Sequence, residues 1–200
     1  MSAPILNAAN QLTLLRMGLA PVLVVLVLNH EMGWAFATLV LAGLTDLFDG
    51  LIARWGHQQT TLGAMLDPVA DKVLMTSAYV ALTWTSGLLV SIPVWLTVIA
   101  LSRDAIILIA AAIVNMTLGR RVFFPSLLGK LTTVSHLLTV GTVLLLNTLG
   151  EAFPPVRYLF YATLALTVSS AFHYLYLASG RRGMTAAVPH EPPAGPTGEE

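Results

Sequence analysis

The 200-residue chain contains no cysteine, and charged residues make up only 10% of it. The first absence excludes disulfides and thiolate metal sites, so any metal must be held by oxygen or by histidine, and hard cations become the natural candidates. The second sets the chain far below the roughly 25% charged share of soluble domains. No basic surplus exists either: ten Lys and Arg balance ten Asp and Glu. That gives no clustered basic face of the kind nucleic acid requires. The first ten residues lack the basic start and small-residue cleavage site of a signal peptide, so the first apolar stretch is expected to remain in the mature protein.

What is present is apolar. Hydrophobic residues account for 56% of positions, and the mean hydropathy is +0.78. At about 20 residues per crossing, such a chain reads as one polytopic membrane domain with no room for a soluble one. Six apolar stretches can be drawn, at 12–29, 34–54, 62–85, 88–114, 127–149 and 156–178. Turn chemistry separates them at Asn29-His30-Glu31-Met32-Gly33, at Ser86-Gly87, and at Gly150 with Pro154-Pro155. The expected architecture is therefore all-α, a bundle of six transmembrane helices over residues 1–180. A Pro-, Gly- and Glu-rich tail, 181–200, is expected to be disordered. Arg54, Arg120, Arg121, Arg181 and Arg182 fall on one set of connections and Arg157 alone on the other. The excess of basic residues on cytoplasmic flanks then predicts a multi-pass protein of the inner (cytoplasmic) membrane with both termini in the cytoplasm.

Against this background four aspartates stand out. Asp46, Asp49, Asp67 and Asp71 fall within 26 residues of apolar chain. A carboxylate in hydrocarbon costs about 2.5–3.5 kcal/mol even on the lenient insertion scale, so intramembrane acids point to function. On helices, Asp46 with Asp49, and Asp67 with Asp71, each share a stripe. Two such helices facing each other assemble four carboxylates, which cannot all stay ionised in a low dielectric without cations. Oxygen ligation suits Mg²⁺, Mn²⁺ or Ca²⁺, and four carboxylates are enough for two ions sharing bridging oxygens. Gly50 and Gly63 lie in helix interiors, where glycine costs about 1 kcal/mol relative to alanine. A group approaching the backbone would justify that, and so would helix packing. Arg54, two turns beyond Asp46, can reach an anion carried by the metals.

These residues carry a resemblance. The pattern D-x-x-D-G-x-x-A-R, eight residues, G-x-x-x-D-x-x-x-D, from Asp46 to Asp71, is similar to the signature of the CDP-alcohol phosphotransferase family. Asn10-Gln11-Leu12-Thr13-Leu14-Leu15-Arg16 with Pro21, and Leu66-Asp67-Pro68-Val69-Ala70-Asp71-Lys72, resemble the phosphatidylglycerophosphate synthase branch. The resemblance implies six transmembrane helices and transfer of a phosphatidyl group from CDP-diacylglycerol to an alcohol with release of CMP. It assigns Asp46, Asp49, Asp67 and Asp71 to two divalent ions, Mg²⁺ or Mn²⁺, with Asp71 also the base, and Gly50, Arg54 and Gly63 to the CDP moiety.

The acceptor must be recognised elsewhere. For glycerol 3-phosphate, a small phosphorylated alcohol, the expected product is phosphatidylglycerophosphate, and the pocket should hold arginine or lysine. Lys130 is the favoured residue. Arg103 is a second, with a neutralising pair to adjacent Asp104 as its other reading, and Arg120 and Arg121 serve topology better. His136 reads as a hydrogen-bonded packing histidine, and His173 and the tyrosines of the last span as packing or interfacial residues. A cardiolipin synthase using phosphatidylglycerol is the alternative, since Gly129-Lys130-Leu131-Thr132-Thr133 also resembles that branch, and inositol phosphate is a third, less favoured acceptor. A divalent-cation transporter is the reading of a different class. Small residues on the apolar spans permit a homodimer.

Overall fold

The computed structural model describes the backbone of residues 8–56, 61–118 and 127–179, and the side chains of 14–45, 72–109 and 127–173. Six helices follow in order: α1 (Ala8–Leu28), α2 (Met32–Gly56), α3 (Thr61–Trp84), α4 (Val94–Leu118), α5 (Leu127–Leu149) and α6 (Val156–Ser179). No strand occurs among the described residues. Helices of 21 to 25 residues rise roughly 30–38 Å, which matches a hydrocarbon layer of about 30 Å. By length and composition, α5 is the one helix among the described residues long and apolar enough to cross a membrane. The apolar stretches Leu14–Leu28 and Met32–Thr45 are shorter.

The expected breaks are present, with identifiable chemistry. α1 ends as His30 enters the left-handed region (φ 59°) and Glu31 N–H donates to the Leu26 carbonyl at 2.9 Å. α5 ends in the same way, with Gly150 at φ 71° and Glu151 N–H donating to the Leu146 carbonyl at 3.1 Å. This six-to-one closure satisfies a carbonyl that the helix terminus would otherwise orphan. One boundary differs from expectation: α4 starts at Val94 rather than near residue 88. Pro93 disfavours helical backbone at Ile92, and its carbonyl instead caps α4 by accepting from Leu96 and Thr97 N–H. The apolar run Leu88–Ile92 stays outside the helix because Asn147 of α5 provides for its backbone. The Asn147 Oδ1 accepts from Leu89 N–H at 2.9 Å and its Nδ2 donates to the Val90 carbonyl at 2.7 Å.

Packing divides the bundle in two. α1 packs on both α2 and α3, and α2 also packs on α5. Leu23 and Val27 of α1, Leu39 of α2, Leu82 of α3 and Leu144 of α5 form the centre of the apolar core, with Ala35 and Ala78 letting backbones approach. The remaining helices close a ring: α3 against α4, α4 against α6, α6 against α5 and α5 against α3. Among the described residues neither α4 with α5 nor α3 with α6 packs closely across that ring.

Unlike a soluble bundle, this one carries an apolar exterior around its apolar core, and several hydroxyl side chains are buried within it. Leu14, Val25, Leu41, Ile106, Leu131 and Leu138 are exposed, while Thr132, Ser135, Thr139, Thr163, Thr167 and Ser170 are buried. So large an apolar exterior fits immersion in lipid. The buried hydroxyls are tolerated because each helix supplies partners. Thr132, Thr139 and Thr167 each donate to the carbonyl four residues back, at 2.7, 2.8 and 2.6 Å.

A candidate acceptor cavity inside the helix ring

The ring of α3, α4, α5 and α6 encloses polar side chains that belong to no single sequence motif. On α4, Arg103 and Asp104 are neighbours. The Asp104 Oδ1 accepts from Arg103 Nη1 at 2.8 Å and from Lys72 Nζ of α3 at 2.6 Å. The Arg103 Nη2 donates to Ser170 Oγ of α6 at 3.1 Å. One carboxylate thus serves two cations, and the guanidinium retains N–H capacity: its buried Nε meets no acceptor. Leaving such a donor unmatched is costly, and an anion or water beside it would relieve that cost.

Deeper in the ring, His136 of α5 sits between two hydroxyls. Tyr79 Oη lies 2.6 Å from its Nδ1, and Thr167 Oγ1 lies 3.1 Å from its Nε2. The Tyr79 and His136 rings meet edge-on at 5.2 Å. Alongside, the Ser135 and Thr163 hydroxyls are 2.6 Å apart, and those of Thr139 and Thr163 are 2.9 Å apart. The Thr139 hydrogen goes to the Ser135 carbonyl. Ser135 therefore donates to Thr163 and Thr163 to Thr139, which accounts for every hydrogen in that cluster.

Between these groups lies a cavity of about 170 Å³. Lys72, Arg103 and Asp104 form its charged wall, Tyr79, Thr133 and His136 contribute polar groups, and Met75 and Leu101 supply apolar surface. Pockets that enclose whole drug-sized ligands run to about 300–1,000 Å³. This one has the size of a headgroup.

The sequence-derived site residues divide on this structure. Arg103 is buried, lines the cavity, and pairs with Asp104 as well, so both of its readings are realised. Lys130 is exposed on α5, one turn before Thr133, and is not among the cavity-lining residues. His136 is the hydrogen-bonded histidine that was expected, and it also lines the cavity. Lys72, which follows Asp71 in the sequence, pairs with Asp104. The backbone at Asp46, Asp49, Gly50 and Arg54 is helical in α2, and that at Gly63, Asp67 and Asp71 is helical in α3. The side chains at those positions lie outside the described residues, as do residues 120, 121 and 181–200. No cluster of metal-ligating side chains occurs among the described residues.

Tyr79 and Asp104 were missed as site residues. Asp104 had a usable signal, because an acid in an apolar span needs a partner and Lys72 is an unmatched cation in another. Tyr79 had none: its link to His136 spans 57 residues of chain.

The profile of the CDP-alcohol phosphatidyltransferase family matches residues 6–173. Over 187 residues the chain is 35% identical to a cardiolipin synthase (CMP-forming) of Homo sapiens, covering 82% of this chain and 60% of that protein. A cardiolipin synthase (CMP-forming) of Rattus norvegicus is 50% identical over 103 residues, covering 51% of this chain and 32% of that protein. A probable phosphatidylglycerophosphate synthase of Mycobacterium tuberculosis is 37% identical over 153 residues, covering 72% of this chain and 68% of that protein. The chain thus spans less than two thirds of the length of the human and rat proteins.

Proposed function

The chain belongs to the CDP-alcohol phosphatidyltransferase family, and from that premise we propose that it transfers the phosphatidyl group of CDP-diacylglycerol to phosphatidylglycerol, forming cardiolipin and CMP. The observation that carries this reading is the charge of the cavity that begins at Lys72, the residue after Asp71. Two cations against one carboxylate leave a single positive charge among its described lining residues. A phosphodiester carries one negative charge and is matched, whereas the phosphomonoester of glycerol 3-phosphate brings close to two and leaves one uncompensated in a low dielectric. Similarity to the human and rat cardiolipin synthases supports the same choice. The family match replaces the cation-transporter reading.

In this reading Asp46, Asp49, Asp67 and Asp71 hold two Mg²⁺ or Mn²⁺ ions; all four donors are hard oxygens, as such ions require. Bound there, the metals supply charge neutralisation on the pyrophosphate and on departing CMP. Gly50, Arg54 and Gly63 receive the CDP moiety. The acceptor's hydroxyl oxygen bonds to the phosphorus bearing diacylglycerol, the pyrophosphate bridge breaks, CMP departs, and the hydroxyl proton passes to Asp71. Lys72 and Arg103 hold the acceptor's phosphate in the adjacent cavity, with Lys130 at its cytoplasmic approach, and fixed placement of the two reactants supplies much of the rate. The six helices span the membrane with both termini and the site on the cytoplasmic side.

The test is CMP release from CDP-diacylglycerol with Mg²⁺ or Mn²⁺, supplying phosphatidylglycerol or glycerol 3-phosphate in turn and identifying the product by mass spectrometry. Cardiolipin is expected. Turnover with glycerol 3-phosphate alone would make the protein a phosphatidylglycerophosphate synthase. Topology is checked on the naturally cysteine-free chain with Glu31→Cys or Glu151→Cys. A membrane-impermeant label reacting only from the cytoplasmic side would overturn the orientation.

A further inference from the structure

The hydrogen-bond chain through His136 has no task in the transfer described above, yet it runs along the cavity. Thr167 gives its single hydroxyl hydrogen to the Thr163 carbonyl at 2.6 Å, so toward His136 Nε2, at 3.1 Å, its oxygen acts as an acceptor. His136 Nε2 therefore bears the N–H. A neutral imidazole protonated at Nε2 offers a lone pair at Nδ1, and that lone pair takes the Tyr79 hydroxyl hydrogen at 2.6 Å. The chain thus has one direction, from Tyr79 through His136 and Thr167 to a backbone carbonyl. With its hydrogen committed to His136, the Tyr79 oxygen offers only lone pairs to further partners, and the Thr139 hydroxyl is one polar group already beside it. Tyr79 is 2% exposed and, like His136, lines the cavity.

The cavity therefore has two chemically opposite parts. Lys72 and Arg103 are donors only and attract phosphate oxygens, while the Tyr79 oxygen is an acceptor that repels them and favours a hydroxyl. We infer that Tyr79 is a specificity-determining residue that accepts a hydrogen bond from the hydroxyl neighbouring the attacking one on the acceptor alcohol. His136 and Thr167 are positioning residues that keep Tyr79 in this acceptor state. The ligand class is a vicinal-diol headgroup carrying a phosphate. The inference rests on the cavity as acceptor pocket, not on the choice between phosphatidylglycerol and glycerol 3-phosphate, since both carry that pair of hydroxyls.

The experiment compares phosphatidylglycerol with phosphatidyl-1,3-propanediol, which keeps the terminal hydroxyl and lacks the middle one. The wild-type protein should prefer phosphatidylglycerol by about tenfold in kcat/KM, as expected for one hydrogen bond inside a pocket. Tyr79→Phe should bring that ratio close to one, mainly through the acceptor KM, with the KM for CDP-diacylglycerol unchanged. His136→Leu removes the acceptor in front of Tyr79, so the phenol hydrogen can turn into the cavity; the ratio should again fall toward one. A merely structural role would lower turnover on both acceptors alike. A wild-type ratio in either variant would overturn the inference. If glycerol 3-phosphate proves to be the acceptor, the same ratio is read against 3-hydroxypropyl phosphate, so an error about the acceptor and an error about Tyr79 give different results.

Discussion

From Asp46 to Asp71, four carboxylates share 26 residues of chain with Arg54 as the lone Lys or Arg among them. The polar side chains of the α3–α6 ring are drawn from positions 72 to 170 and largely match one another, with Arg103 Nε as an exception. Lys72 and Arg103 meet Asp104, His136 meets Tyr79 and Thr167, and Ser135 meets Thr163. The first region is locally encoded and carries surplus negative charge, which the proposed function assigns to metal ions. The second is assembled from four helices and depends on the fold. The two plans place chemistry and stability in different residues, and substitutions should separate them.

The largest effect should come from the first region. Asp67→Asn is expected to lower CMP release by roughly a thousandfold, because in the proposed function it removes a ligand from the charge-neutralising metals, with little change in thermal unfolding of the purified protein. Chelation should abolish turnover in the wild type, and added Mg²⁺ or Mn²⁺ should restore it. Asp67→Asn with undiminished turnover would break the comparison outright.

The second region should respond in the opposite sense. Asp104→Asn leaves Lys72 and Arg103 facing each other without their carboxylate. For a fully buried pair, loss of one partner costs about 3–5 kcal/mol; with the Asp104 side chain 27% exposed, about 2 kcal/mol is expected, read as a lower midpoint of unfolding. Joint replacement by Lys72→Met, Arg103→Leu and Asp104→Leu should recover much of that stability while still abolishing acceptor binding, which separates the pairing role of these residues from their binding role.

Smaller effects fall farther from the cavity. Asn147→Leu orphans the backbone of Leu89 and Val90 and should cost about 1–2 kcal/mol at unchanged turnover. Thr163→Val deprives the Ser135 hydroxyl of its acceptor and should cost about 0.5–1 kcal/mol, in keeping with the modest strength of hydrogen bonds between membrane helices. A loss of activity in Asn147→Leu at preserved stability would show that the 85–93 connection contributes more than structure.

The two regions also differ in how far they can be read from the chain. Six apolar stretches and their breaks correspond to six helices because periodic hydrophobicity and turn residues act over a few neighbours. The start of α4 escaped because Leu88–Ile92 is apolar enough for a helix, and Asn147, 57 residues away, decides otherwise. Arg103 could be singled out from sequence, although its pairing with Asp104 and its place in the cavity looked like alternatives until the structure showed them together. Lys130, favoured from sequence as an acceptor residue just inside the fifth apolar stretch, is exposed and not among the cavity-lining residues, while Thr133, one turn on, lines the cavity.

By itself, the sequence determined what is local: the helices, the apolar exterior, the absence of thiol chemistry, and the spacing of four aspartates that resembles the signature of the family to which the chain belongs. Only the tertiary structure decided which cations are neutralised and by which carboxylate, that His136 lies between the Tyr79 and Thr167 hydroxyls, and that the described residues lining the cavity carry two cations against one carboxylate. The physical reason is reach. Backbone periodicity and turn preferences are written over three to ten neighbouring residues, whereas charge matching in a low dielectric is settled at about 3 Å between side chains whose separation along the chain carries no signal.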